Sequence, residues 1–267
     1  MLKMPDFDKV SEAMRFVAQT EVMPRFNKLS VSDIYTKDSP GDLVTIADLK
    51  AEEKLTQLLP PLCEDSVIIG EESVFKDETL YDLLKEDKPV FIVDPIDGTT
   101  NFTDGKPEIA VVVALAYKGE TVAGWLYYPV QNILLCGQKG AGAFMNGRRC
   151  RVSQSDDFGL MHGAVGRNVI FDGALKAPPA YWGSAAYNYL LVTTGSADFS
   201  VYKTACIKPW DHAAGIMLHA EAGGYAAYAD GSPYEPFPER KNLYVAPSKD
   251  AWDFLKAHCI HKKMNLI

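Results

Sequence analysis

Short apolar, β-branched runs interleaved with amphipathic helical stretches predict a mixed α/β fold of the α+β type. Three observations carry that expectation. Residues 66–70 (Ser-Val-Ile-Ile-Gly) and 89–93 (Pro-Val-Phe-Ile-Val) have the length and composition of buried strands. Residues 6–29 set Phe7, Val10, Met14, Val17, Val22 and Phe26 at roughly helical spacing. Near residue 150 the pattern changes, dividing the chain into an α+β half (1–150) and an α/β half (151–267) packed as one compact unit. At 267 residues the chain is long enough for two such halves.

Taken in order, the first helix covers residues 6–29, with Pro24 expected to kink or shorten it. Residues 36–45 are rich in turn formers. A second helix spans 45–59, with Thr45 or Asp48 near its start and Pro60-Pro61 closing it. The strand at 66–70 ends in Glu71-Glu72-Ser73, and residues 76–88 are charged and exposed. Runs 109–117, 121–128 and 133–136 read as consecutive antiparallel strands, and 140–149 as another ending in an Asn-Gly turn. Arg148 and Arg149 read as solvated charge. In the second half, residues 161–166 form a strand and Ala177-Pro178-Pro179 interrupts any helix. Gly183-Ser184-Ala185-Ala186 opens a helix to about 194, with Ser184 as N-cap. Residues 198–202 read as a strand, and Trp210-Asp211 starts a helix stopped by Gly223-Gly224. Strands at 225–229 and 243–246 and a helix from Ser248 complete the chain.

The chemistry concentrates in residues 94–102, Asp-Pro-Ile-Asp-Gly-Thr-Thr-Asn-Phe. Asp94 sits at the carboxyl end of a strand, where open α/β sheets place their ligands. Asp97 follows three residues later, and two carboxylates on so short a loop repel each other unless a divalent cation lies between them. Thr99 and Thr100 stand at a helix start, which suits an anion. The alternative is an ordinary Asp-Pro turn capping a helix. Elsewhere Asp48 suits the first turn of its helix, Glu71 and Glu72 suit a solvated loop, and Asp211 suits an N-cap. His212 and His219 share a helical face without a third ligand, so they read as core or surface histidines.

The full string at 94–102 resembles the signature of the inositol monophosphatase family of metal-dependent, lithium-sensitive phosphatases. Trp-Asp-x-Ala-Ala-Gly followed by Glu-Ala-Gly-Gly (210–224) resembles its second signature. Gly-Glu-Glu-Ser (70–73) and the spacing of Lys37 to Asp48 resemble further family segments. The resemblance implies a layered αβαβα sandwich and hydrolysis of inositol 1-phosphate or a related small sugar or polyol phosphate. It implies two or three Mg²⁺ ions, one on Glu71, Asp94 and the Ile96 carbonyl, and a second between Asp94, Asp97 and Asp211. A weaker third is held by Glu71. Thr99, paired with Asp48 and assisted by Glu71, positions the attacking water, while Gly98 and Thr99 N–H groups hold the phosphate. Ser184 and Ala185 approach the substrate together with Asp97 and Asp211; Lys37 and Glu72 support the site. Four acids converging from three distant segments would destabilise the fold without cations. An aspartyl-phosphate route also uses Asp at strand ends, but the Gly-Glu-Glu-Ser and Trp-Asp partners fit direct water attack better.

Three departures bear on the substrate, the first being Thr103-Asp104-Gly105-Lys106-Pro107 in place of a stretch that is usually aromatic or basic in the family. Relatives acting on inositol phosphate carry a Glu seven residues before the second-signature Asp, and here Thr204 stands there. Residues 152–182 are short for the family and lack or truncate a helix. Histidinol phosphate, fructose 1,6-bisphosphate and 3′-phosphoadenosine nucleotides are therefore alternative substrates. A contact with the transcription machinery, as in some bacterial relatives, is an alternative of another class. A formal charge of −8 argues against nucleic acid and anionic membrane as partners. The longest apolar run, residues 109–117, is too short to span a bilayer, and residues 1–6 lack the core of a signal peptide. Five cysteines without a Cys-x-x-Cys pair suit free thiols in the cytoplasm. A homodimer is expected from the resemblance.

Overall fold

The computed structural model describes residues 2–37, 42–154, 157–165, 169–177, 179–203 and 205–261. In chain order the elements are α1 (Phe7–Val17), β1 (Ile34–Thr36), β2 (Leu43–Thr45), α2 (Ile46–Leu58), β3 (Val67–Gly70), α3 (Glu71–Lys76), β4 (Val90–Asp97), α4 (Thr99–Thr103), β5 (Ala110–Tyr117), β6 (Glu120–Tyr128) and β7 (Ile133–Gln138). They continue as β8 (Gly142–Met145), β9 (Arg148–Arg149), β10 (Gly163–Val165), β11 (Val169–Phe171), α5 (Ala185–Thr193), β12 (Phe199–Tyr202), α6 (Pro209–Glu221), β13 (Tyr225–Tyr228), β14 (Leu243–Ala246), α7 (Lys249–His258) and β15 (Cys259–His261).

Side-chain alternation along the strands builds five layers. In β4 and β5, Phe91, Val93, Val111 and Val113 face α1 and α2, meeting Val10, Met14, Ala47, Ala51 and Leu55. Their neighbours Val90, Ile92, Val112 and Ala114 point the other way, onto Tyr189 of α5 and Ala213, Ala214 and Leu218 of α6. The far side of α5 and α6 meets Tyr202, Leu243 and Val245 of a second sheet. The opposite face of that sheet presents Phe199, Val201, Tyr244 and Ala246 to Trp252 and Leu255 of α7. Helices, sheet, helices, sheet, helix is the layered sandwich expected above, reached here from period-two burial alone.

The larger sheet has order β3-β4-β5-β6-β7-β8-β9, with only β3 and β4 parallel. The smaller has order β10-β12-β14-β13. All strands of the larger sheet come from residues 67–149 and those of the smaller from 163–246. The middle helical layer nevertheless packs on both, so one core crosses the position near 150.

The expected helices and strands are present with ends shifted by a few residues. The first helix is shorter than 6–29: α1 passes into one wide turn over Ala18–Val22 and ends before Pro24, whose ring removes a donor. Asp211 is not a helix cap, since Lys208 holds that position and Pro209 begins α6. The short pairs β1–β2 and β11–β15 go beyond the expected elements, with β2 inside the turn-rich stretch 36–45 and β15 directly after α7 where the last helix was expected to run, and residues 78–85 form a 3₁₀ helix. Among the described residues of 152–182 there is a 3₁₀ turn at Phe158–Leu160 and no α-helix. Gly166, Pro178 and residues 38–41 of the turn at 36–45 lie outside the described residues. No described helix is long and apolar enough to cross a membrane.

Candidate active site

The acidic loop gets its shape from an irregularity in β4. Asp94 pairs with Val112 and Asp97 with Ala110, so three residues of β4 advance against two of β5. In an unbroken strand, residues three apart point to opposite faces. The extra residue, beside Pro95 with no N–H to donate, brings both carboxylates to one face. That face is the one covered by α5 and α6. β4 then ends at Gly98, whose φ of 87° allows the chain to turn sharply into α4. A Cβ there would also lie 2.8 Å from the Glu108 carbonyl oxygen.

Two helix starts complete the cluster. Asp211, in the first turn of α6, brings its carboxylate to the β4 pair, so that Asp94, Asp97 and Asp211 each offer an oxygen within 4.8 Å of the others. The N-terminus of α5 grips Asp97. Ser184 Oγ and the Ala186 N–H (2.8 Å) both donate to its Oδ2, and the Ala185 N–H donates to Oδ1 at 3.2 Å. Ser184 also accepts from the Tyr187 N–H as the helix cap. The Ser184 hydroxyl and the Ala185 N–H are thus engaged by Asp97. The Ile96 N–H donates to Asp94 Oδ1 at 3.0 Å.

Glu71 stands beside this trio. Gly70 pairs with Val93, so Glu71 and Asp94 follow one another at the ends of parallel strands. Its Oε1 takes the Lys37 ammonium at 2.6 Å, and Glu72 takes the same ammonium at 2.8 Å. Asp48 is buried and doubly held by the Thr45 N–H (2.8 Å) and hydroxyl (2.5 Å), a reciprocal helix cap. Thr99 Oγ1 lies 3.1 Å from the Ile96 carbonyl and 3.4 Å from Asp48 Oδ1, linking α2 to the acidic loop. Thr204 lies outside the described residues.

Burial sets the protonation of the cluster. Desolvation, then the charges of Glu71, Asp97 and Asp211, hold the Asp94 carboxyl well above its usual range. Asp211 is raised likewise by burial, Glu71 and Asp97, with Lys208 and Lys37 opposing. Asp97 reaches only about 6, because its three α5 donors offset burial. Burial lifts Asp48 to about 7 and, with the Glu71 charge added, Glu72 to about 8. Burial works against the charge on Lys37, but Glu71 and Glu72 outweigh it and keep the ammonium protonated. Among the described residues no ion pair neutralises Asp94, Asp97 or Asp211. Three crowded carboxylates with hard oxygen donors fit a divalent cation such as Mg²⁺.

One supporting residue escaped the sequence reading. Glu52, buried on α2, accepts from the N–H groups of Glu72 (2.8 Å) and Ser73 (2.7 Å) and so caps α3. Gly70 leaves the room, since a Cβ would fall 2.3 Å from the Glu52 carboxyl carbon. Its only signal was four-residue spacing from Asp48, which puts both acids on one helical face. His212 and His219 are buried core residues, bonded to Tyr189 Oη (2.9 Å) and the Ala246 carbonyl (2.8 Å).

A model of the inositol monophosphatase family matches residues 4–263. Inositol monophosphatase 1 of Rattus norvegicus is 34% identical over 224 residues, 78% of this chain and 79% of that one. A fructose-1,6-bisphosphatase/inositol-1-monophosphatase of Thermotoga maritima is 33% identical over 214 residues, with the same coverage of each. Among solved structures, the extragenic suppressor protein suhB of Bartonella henselae aligns with a TM-score of 0.78 and 28% identity, covering 94% of this chain and 96% of that one. An IMPase of Thermotoga maritima aligns at 0.75 and 30%, covering 90% and 91%. With the sandwich and the acidic cluster described above, these matches make the chain a member of the inositol monophosphatase family of phosphatases.

Proposed function

We propose that this phosphatase hydrolyses inositol 1-phosphate or a related small sugar or polyol phosphate, with Mg²⁺, by direct attack of water. The observation that carries the reading is the trio of buried Asp94 and Asp97 with half-buried Asp211, unneutralised among the described residues. Those carboxylates would hold the ion, joined by Glu71 once it leaves Lys37 and by the Ile96 carbonyl. Bound Mg²⁺ supplies a Lewis acid toward phosphoryl oxygens and makes water more acidic. The chain's own groups do the rest. Thr99 Oγ1, donating to Asp48 Oδ1, keeps a lone pair free to accept from the attacking water. Asp48, with a pKa raised to about 7, can take up that proton near neutrality. The Gly98 and Thr99 N–H groups, where β4 turns into α4, would hold the phosphate. Glu72 retains the Lys37 ammonium beside Glu71, so that cation stays at the site when Glu71 turns to the ion.

The cleft beside these groups has a volume of about 320 Å³, at the small end of ligand sites. It suits a sugar phosphate. The homodimer and cytoplasmic location expected earlier belong to the same proposal. A hydrolysis screen over inositol 1-phosphate, histidinol phosphate, fructose 1,6-bisphosphate and a 3′-phosphoadenosine nucleotide tests it. Expected are Mg²⁺-dependent turnover of at least one substrate and inhibition by millimolar lithium. No turnover of any of them in the presence of Mg²⁺ would overturn the reading.

A further inference from the structure

The cleft holds two lysines, and they are differently placed. Lys37 is buried and consumed by two carboxylates. Lys208 also lines the cleft, one turn before Asp211, and is half-buried. Its ammonium lies 5.5 Å from the centre of the Trp210 ring, which itself stacks on Tyr81 at 6.0 Å with planes 5° apart. It is close enough to Asp211 to rank among the charges acting on it. Yet no carboxylate of the described residues lies within ion-pair distance of Lys208. The remaining charged wall of the cleft is acidic: Asp42, Glu71 and Glu78.

A half-buried cation over an indole, with no counter-ion among the described residues, is ready for an anion. The phosphate undergoing hydrolysis does not need it. In the reading above that group is met by the metal and by backbone N–H groups. Any other anionic group of the substrate would be repelled by Asp42, Glu71 and Glu78 everywhere but near Lys208. We propose that Lys208 is a specificity residue, and that the preferred substrate carries a second anionic group, a phosphate or a carboxylate, which Lys208 binds while the first phosphate is hydrolysed. This deepens the proposed function and rests on it.

Two substrate pairs test the proposal and separate the sources of the second charge: fructose 1,6-bisphosphate with fructose 1-phosphate, and 6-phosphogluconate with glucose 6-phosphate. The readout is the ratio of kcat/KM within each pair, which cancels any general effect of Lys208 on the Asp211 cluster. The wild type should favour the doubly anionic member of at least one pair. Lys208→Gln should lower that ratio tenfold or more, Lys208→Glu should invert it, and Lys208→Arg should keep it. The pair that responds identifies the second group as phosphate or carboxylate. Should the glutamine variant not fold, the wild-type ratio must still shrink as potassium chloride rises, because the contact is partly exposed. Turnover of both members with ratios indifferent to Lys208→Gln and to salt would overturn the Lys208 assignment and leave the phosphatase reading standing. Absence of turnover on all four compounds, with Mg²⁺ present, would remove both.

Discussion

At the scale of the residue, Asp94 and Asp211 are groups whose protonated form suits the metal-free fold and whose ionised form suits the function. Burial and mutual repulsion hold Asp94 and Asp211 well above the usual carboxylate range. Asn is close in size to a protonated Asp and cannot ionise. We therefore expect Asp94→Asn and Asp211→Asn to fold, with melting of the metal-free protein at pH 8 unchanged or raised. The kcat of each should fall by ~10³-fold or more, because one anchor of the cation and its charge stabilisation is lost. Thermal melting and steady-state kinetics on the same preparations check both halves; near-wild-type turnover would count against the metal assignment. These acids were legible in the linear string because Pro, Gly and Thr surround them. Glu52 was not, since its role exists only once α2 lies against α3.

At the scale of the element, the N-terminus of α5 is a device for aiming Asp97. Ser184 caps the helix and bonds the carboxylate at once, so Ser184→Ala removes two interactions together. We expect a loss of about 0.5–2 kcal/mol in stability from the cap. The Mg²⁺ concentration for half-maximal activity should rise by about 10–100-fold, as when a partner that orients a metal ligand is removed. Denaturant unfolding and a Mg²⁺ titration of activity measure the two; a stability loss with no metal effect would make Ser184 a cap alone. The longer elements were readable from periodicity, with β5 and β6 running as apolar strands and α2 bounded by Thr45 and Pro60. The three-residue strands β1, β2, β11 and β15 were not. Period-two alternation needs more positions than they have, and they exist only by pairing. The irregularity at Pro95-Ile96 was equally invisible, since it is defined by its register with β5.

At the scale of the whole molecule, five layers close around a patch of unneutralised acid, and stability should record it. Asp48 at about 7 and Glu72 at about 8 lie above their unfolded values. The native state therefore holds more protons, so their contribution is complete below the unfolded pKa, near 4, and is lost as pH rises through 7 and 8. His212 and His219, lowered by burial to about 3 and about 4, act in the opposite sense. Their contribution is complete above about 6.5 and is lost as pH falls toward those values. Above pH 6.5 the histidine effect fades and the carboxyl effect decides the sign of the slope. Metal-free protein should therefore melt at progressively lower temperature from pH 6.5 to 8.5, and Mg²⁺ should flatten or reverse the slope. A metal-free profile that rises across that range would contradict the assignment. We propose that the division near residue 150 is one of sheet membership, not of independent folding, because α5 and α6 serve both sheets.

The most direct test of the gathered carboxylates is calorimetric titration of Mg²⁺ into metal-free protein at pH 6.5, in two buffers of different ionisation enthalpy. Raised pKa values in the metal-free state require that binding expel protons, so the heats should differ between buffers. Binding should also weaken strongly in Asp211→Asn. Mg²⁺ binding with no proton release, or with equal affinity in Asp211→Asn, would show that Asp94, Asp97 and Asp211 do not share the ion.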